Sequence, residues 1–212
     1  MKRMSPGYVK AETLENFYET PEEFSSFPRI RTIFQQNHMA FDLGFDHLDR
    51  QSVNASIEKL DATFDLILIA DYFKESMILL RKELCWSMDD VVFFSNNARS
   101  SKTLIGNSLA SKMRNWNFFD NAIFNHVNET FWKKVAAHKN FEEELEELQS
   151  KLEEKENECL LQNGEETTRK RLGLDLKGFQ LSMKGKEDET CRLMVTTEGK
   201  LLDLVRRKQW PT

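Results

Sequence analysis

Hydrophobic spacing changes character several times along the chain, and each change predicts an element. The sharpest change is at Phe64-Asp65-Leu66-Ile67-Leu68-Ile69-Ala70, a short, nearly continuous apolar run with β-branched residues. That pattern predicts a strand buried on both faces. A helix is predicted at once behind it, with Phe73, Met77, Leu80 and Leu84 at helical spacing, Asp71 as N-cap and Glu75 in the first turn, where a carboxylate suits the helix dipole. A second strand is expected at Val91-Val92-Phe93-Phe94, behind Asp89-Asp90. Strand followed by helix is half of a βαβ unit, so the fold class read from the pattern is α/β, helix-rich.

Around this centre the pattern is helical. The first forty residues read as short helices broken by Pro21 and Pro28, with a helix start at Thr20-Pro21-Glu22-Glu23. Phe41-Asp42-Leu43-Gly44-Phe45-Asp46 is a turn-rich link, and a helix is predicted over Ser52 to Asp61. From Ser108 to about His138 a long helical or helix-turn-helix region carries Trp116, Phe119, Phe124, Phe131 and Trp132 as core or docking surface. Residues 142–158 hold nine Glu and two Lys, while Phe141, Leu145, Leu148, Leu152 and Cys159 draw one narrow apolar seam. This predicts an acidic amphipathic helix over 141–160, packed on the domain and ended by Gly164; self-association through 141–159 is the other use of such a seam. A basic turn at Arg169-Lys170-Arg171-Leu172-Gly173 and a last helix from Glu189 to Arg207 complete a single region of 1–212, with 11–140 as its α/β core portion and 161–212 as its C-terminal turn and helix.

Composition narrows the class. The 212 residues include 16 Phe, 4 Trp and 8 Met, enough apolar surface for a packed core and too much for a disordered chain. A net charge of −5 without a dominant basic block argues against nucleic acid as a partner. Cys85, Cys159 and Cys191 show no C-x-x-C spacing, so no zinc site is expected, and they allow one disulfide and one free thiol at most. No apolar run reaches the roughly 18 residues that span a bilayer, and Met1 to Pro6 leads into polar sequence, so the chain as written reads as soluble, without anchor or signal.

Candidate chemistry is sparse. A phosphate cradle needs a glycine-rich turn between strand and helix. Ser101-Lys102-Thr103 has neither the glycine nor the leading strand and reads as a loop. His38, His47, His126 and His138 stand beside no Ser or Cys motif and read as surface or core histidines. Arg169, Lys170 and Arg171 have the chemistry to meet a phosphate, though a solvated basic turn is the commoner use of such a run. Two sequons, Asn54-Ala55-Ser56 and Asn128-Glu129-Thr130, matter if the chain enters a secretory lumen.

The run from Phe64 to Phe94 closing on Asn97-Ala98-Arg99 resembles the galactose 3-O-sulfotransferase family of the galactosylceramide type, in its C-terminal portion. The resemblance rests on Asp71-Tyr72-Phe73-Lys74-Glu75-Ser76, the leucine run after it, Trp86, Asp89-Asp90 and Asn97 to Arg99. It extends to Phe41 to Asp46 upstream, and to Trp116-Asn117, Asp120 and Asn128 to Val135 downstream. It implies a partial P-loop-like sulfotransferase fold, with the nucleotide-binding strand-loop-helix and the catalytic base in the family's preceding segment. It implies transfer of sulfate from 3′-phosphoadenosine 5′-phosphosulfate (PAPS) to the 3-hydroxyl of a terminal galactose on a glycolipid or glycoprotein, at the lumenal side of the Golgi membrane. On the resemblance Tyr72, Glu75 and Arg99 are acceptor-side residues, Arg169 to Arg171 the nucleotide-side cations, and Asn128 a matching glycosylation position. Cys159 with Cys191 would form a disulfide, leaving Cys85 buried and free. This chain alone is expected to be inactive; the alternative is a non-catalytic interaction module.

Overall fold

The computed structural model describes residues 11–19, 21, 36–94, 104–161, 167–171 and 174–210. The chain divides into two compact units, each discontinuous in sequence: residues 1–76 with 103–139, and residues 77–102 with 140–212.

The first unit is helical. Its described elements are α1 (Ala11–Glu19), α2 (His38–Asp42), α3 (Val53–Thr63), the start of α4 (Phe73–Glu83), α5 (Asn107–Trp116) and α6 (Phe118–Ala136). The core is organised by α6, whose Phe119, Ile123, Val127, Phe131 and Val135 recur every fourth residue and are all buried. Such a stripe covers one helix face. Ala40 and Leu60 are buried in the same unit. The helix-turn-helix reading of Ser108 to His138 holds, with the break at Asn117.

The strand predicted over Phe64 to Ala70 is not formed. Backbone angles are extended at Phe64 (φ −116°, ψ 120°) and at Ile69 (φ −112°, ψ 118°), but among the described residues no strand pairs with this segment. β-Propensity sets the local conformation; a strand also needs a ladder partner. A 3₁₀ turn, Ala70–Tyr72, then leads into α4, so Asp71 lies within that turn and is not the helix cap. Ser76 Oγ, inside α4, instead ties the helix back to the end of the apolar run, accepting from Ile69 N–H at 3.1 Å and donating to Ile69 C=O at 3.0 Å. The predicted stripe on α4 is also rotated. Phe73 and Leu84 are exposed, whereas Ser76, Ile78 and Leu79 are buried, because Met77-Ile78-Leu79-Leu80 is apolar on every side and marks no face.

The second unit contains the rest of α4, a 3₁₀ turn at Asp89–Val91, α7 (Phe141–Cys159), the strands β1 (Thr167–Arg171) and β2 (Leu174–Gly178), and three short helices, α8 (Met183–Glu187), α9 (Glu189–Met194) and α10 (Glu198–Gln209). Val91 to Phe94 is a 3₁₀ end and irregular chain, not the expected strand. The one sheet among the described residues is the antiparallel β1–β2 pair, Thr167 opposite Gly178 and Arg171 opposite Leu174. The predicted basic turn is therefore strand in Arg169 to Arg171; Leu172 and Gly173 lie outside the described residues, as do Gly164, Thr20 and Pro28.

The acidic helix forms as read. Phe141, Leu148, Leu152 and Cys159 are buried along its seam, and Glu142, Glu143 and Glu144 occupy its first turn. Arg81 Nη2 reaches Glu144 at 2.6 Å and Lys151 reaches Asp89 at 2.7 Å. The helix ends at Cys159, not at Gly164, because the next residue turns extended and Leu160 bridges Leu181. Cys159 is joined to Cys191 by a disulfide with Cα atoms 5.4 Å apart, packed among Phe94, Leu160, Phe179, Leu181, Met194 and Val195. Cys85 is free and exposed, contrary to the expected burial. The last helix is divided: Asp188 caps α9 by accepting from Cys191 N–H at 2.8 Å, and the β-branched run Val195-Thr196-Thr197 separates α9 from α10.

Candidate functional site

The densest polar construction lies in the first unit, where three sequence-distant segments meet around Asn37. Its side chain is fully buried and its backbone left-handed (φ 51°), a conformation Asn tolerates better than most residues. Asn37 Oδ1 accepts from the backbone N–H of Phe119 at 2.9 Å and of Asp120 at 3.4 Å, which satisfies the open N-terminus of α6. Its Nδ2 donates to His47 C=O at 2.7 Å, and its own N–H donates to Asn117 Oδ1 at 3.0 Å. Asp120 returns the arrangement: its carboxylate accepts from Met39 N–H at 3.0 Å and Ala40 N–H at 2.9 Å, capping α2. Each helix start is thus capped by a residue of the other segment. Gln36 Nε2 adds a bond to Trp116 C=O at 3.0 Å, and Phe45 stacks on Phe119 with ring centroids 6.0 Å apart.

This joint binds Phe41 to Asp46 to the start of α6. Its donors are consumed within the protein, so it is a brace, not a reaction centre. Residue type alone pointed to Asp120 and Asn117 only as parts of a motif; Asn37 carried no signal, because caps that act across sequence are invisible to local reading.

The acceptor-side candidates sit at the junction of the extended segment and α4. Tyr72 ends the 3₁₀ turn, and its ring stacks on Phe131 (5.8 Å, 28° between planes) and meets Trp132 edge-on at 5.0 Å. Glu75 follows one turn later, half-buried and, among the described residues, without a hydrogen-bond or ion-pair partner. Lys134 Nζ holds the same segment by donating to Asp65 C=O at 2.8 Å, and His126 Nε2 lies 2.8 Å from Asp61 Oδ1, tying α6 to α3. Tyr72 and Glu75 therefore share one turn on a well-supported element.

Arg99 lies outside the described residues, as do Ser101 to Thr103. Arg169, Lys170 and Arg171 have their backbone in β1, in the second unit. Asn54 is exposed on α3, and Asn128 is half-buried within α6. Among the described residues no group of His, Cys, Asp and Glu is arranged to hold a metal ion, and no helix is long and apolar enough to cross a membrane.

Near the end of α7 a carboxylate is strongly perturbed. Glu158 receives Lys155 Nζ and Lys184 Nζ, each at 2.7 Å, and these two ammonium groups hold its carboxyl down at about 2. Its side chain is partly exposed, so the contact with Lys184 fastens α7 to α8 without a fully buried charge.

The motifs that run through the segment ending at Tyr72, through α4 and through α6 are those that resemble the galactose 3-O-sulfotransferase family, and comparison with known proteins shows the family. The galactose-3-O-sulfotransferase family model matches residues 1–208, and the chain belongs to that family. Mouse galactose-3-O-sulfotransferase 2 is 33% identical over 168 residues, covering 75% of this chain and 43% of that protein. Mouse galactose-3-O-sulfotransferase 3 is 35% identical over 136 residues, covering 60% and 32%, and mouse galactosylceramide sulfotransferase is 28% identical over 221 residues, covering 95% and 52%. The chain spans about half the length of the relatives it matches most fully. No solved structure matches it.

Proposed function

We propose that this chain forms the acceptor-side portion of a galactose 3-O-sulfotransferase, with PAPS as donor and a terminal galactose on a glycolipid such as galactosylceramide, or on a glycoprotein, as acceptor, at the lumenal face of the Golgi membrane. In that reaction the bond from sulfur to the phosphate oxygen breaks, a bond from sulfur to galactose O3 forms, and the O3 proton passes to a base. Such chemistry is positioning and charge stabilisation. The residues of this chain enter on the positioning side: Glu75 accepts from a galactose hydroxyl, Tyr72 supports the turn that carries it, Arg99 joins them on the acceptor side, and Arg169, Lys170 and Arg171 supply cations for the anionic donor. Phe64 to Ile69, extended at Phe64 and at Ile69, serves as a strand of a partial P-loop-like sheet once a partner strand lies beside it.

The observation that carries the reading is the convergence of the family-like segments. Asn117 and Asp120 hold Asn37 and Ala40 just ahead of Phe41 to Asp46, whose Phe45 stacks on Phe119, while Tyr72 and the Phe131-Trp132 pair close another joint on the same helix. Calorimetric titration of the 212-residue chain with methyl β-galactoside tests it. Binding is expected, with at least a tenfold loss for Glu75→Gln and for the 4-epimeric glucoside. Transfer of radiolabelled sulfate from PAPS, run in parallel, is expected to stay at background for this chain alone. A folded chain that binds neither galactoside nor 3′-phosphoadenosine 5′-phosphate refutes the reading in favour of a non-catalytic interaction module.

A further inference from the structure

Helix α6 leaves two aromatics unused by the core. Phe119, Ile123, Val127 and Phe131 are buried, but Phe124 and Trp132 are each 39% exposed. They stand four residues before and four residues after Asn128, so all three occupy one strip of helix surface. Side chains on a helix lean toward its N-terminus, which lays Trp132 over the turn that carries Asn128. Trp132 is also held from behind, edge-on to Tyr72 at 5.0 Å and to Phe131 at 5.5 Å. The Asn128 side chain is half-buried, with its Oδ1 buried and without a hydrogen-bond partner. Nδ2 is the atom that a sequon presents for modification, and Thr130 completes the sequon.

We infer that Trp132, with Phe124 at the rim, is the seat of the first N-acetylglucosamine of a glycan carried on Asn128 Nδ2. The inference rests on the lumenal reading above. Attachment draws on a polyprenyl-diphosphate-linked oligosaccharide: the bond from Nδ2 to sugar C1 forms, the bond from C1 to phosphate oxygen breaks, the diphosphate leaves with its electron pair, and Nδ2 loses a proton. It acts on the nascent chain, before α6 folds around the site. Once folded, the apolar C–H face of the pyranose covers indole surface that otherwise meets water, and the packing behind Trp132 means that little freedom is lost in doing so. The other sequon offers no such seat. Asn54 is exposed on α3, and its neighbours four residues away are Arg50 and Glu58.

The test is the full chain recovered from the secretory pathway of mammalian cells behind a cleavable signal, its glycans trimmed enzymatically to one N-acetylglucosamine. Glycopeptide mass spectrometry is expected to find Asn128 occupied. In the wild-type protein the N-acetyl methyl resonance of that sugar is expected to be shifted upfield by the indole ring, with cross-relaxation to Trp132 protons, a readout that needs no variant. The glycan should raise the melting temperature by about 2–4 °C relative to Asn128→Gln, a gain kept by Trp132→Phe and lost in Trp132→Ala. An unoccupied Asn128, an unshifted methyl resonance, or a glycan effect of equal size in Trp132→Ala overturns the seat. None of these results bears on galactoside binding, which is read in the separate titration.

Discussion

Asn37→Ala is the sharpest probe of the joint that organises the first unit. The substitution deletes the acceptor for the Phe119 and Asp120 N–H groups and the donor to His47 C=O, at 2.9, 3.4 and 2.7 Å. Leaving a buried backbone group unsatisfied costs about 1–3 kcal/mol, and here Phe119 N–H and His47 C=O are both left behind. Alanine also resists the left-handed backbone at φ 51°, adding about 1 kcal/mol. The expected loss is about 3–7 kcal/mol, or about 6–28 °C in melting temperature at about 2–4 °C per kcal/mol. Urea unfolding followed by circular dichroism and by tryptophan fluorescence measures it. Asn37→Gly accepts the backbone angle but removes the same bonds, so it should fall within about 1 kcal/mol of the alanine variant. Because Asn37 and Asp120 cap each other's segments, Asn37→Ala with Asp120→Ala should cost clearly less than the sum of the two. A single-variant cost under about 1 kcal/mol, or full additivity, would falsify the claim that this joint is a shared cap.

Further outcomes follow from the second unit. Gly185 packs on the end of α7, where an added Cβ would run into the Cys159 carbonyl and lie 3.0 Å from its carbon, so Gly185→Ala should lower stability by about 1–3 kcal/mol. Gly199→Ala, which meets open space on α10, should be neutral or stabilising by up to about 1 kcal/mol in the same urea series. Cys85 closes α4 at φ 54° with its N–H on Lys82 C=O and Trp86 N–H on Arg81 C=O at 2.9 Å, an end that favours glycine; Cys85→Gly should raise stability by about 1 kcal/mol. Reducing the Cys159–Cys191 bridge, which spans 32 positions, should cost about 3–4 kcal/mol on the chain-entropy account; dithiothreitol added to the urea series reads this, and an unchanged midpoint would rule that account out. For Glu158 the folded carboxyl, near 2, lies below its ordinary 4.5, so its contribution is complete above about pH 4.5 and lost as pH falls toward 2. Protection factors for amide exchange at Ser182 and Gly185, taken against the intrinsic rate at each pH, should fall across that window, and Glu158→Gln should flatten the response.

Much of the helical framework was legible in the chain. The seam of α7 could be read residue by residue, because seven-residue recurrence against a solid acidic background admits only one helix face. Helices α3, α5 and α6 fell within a few residues of their expected bounds. The end of the apolar run could be read from the change to polar residues, but not the 3₁₀ turn formed there, and Tyr72 and Glu75 stand out through the family resemblance. The strand reading of Phe64 to Ala70 captured the extended backbone at Phe64 and Ile69 but neither the pairing nor the turn at Ala70, and the face of α4 could not be read where four apolar residues run together.

Sequence by itself thus determined what depends on near neighbours: helix periodicity, the charge of α7, the extended segment, the sequons and the number of cysteines. Tertiary structure alone decided what depends on residues far apart. Asn37 became the cap of a helix eighty positions later, Asp120 the cap of α2, and Ser76 the closure of the extended segment. Gly185 is left no room for a Cβ because a backbone carbonyl lies against it, and Cys159 found Cys191 where α7 meets α9. The physical reason is common to all of these. A hydrogen bond or a close contact across dozens of residues satisfies groups that the local chain leaves open, and only the packed core brings the two together.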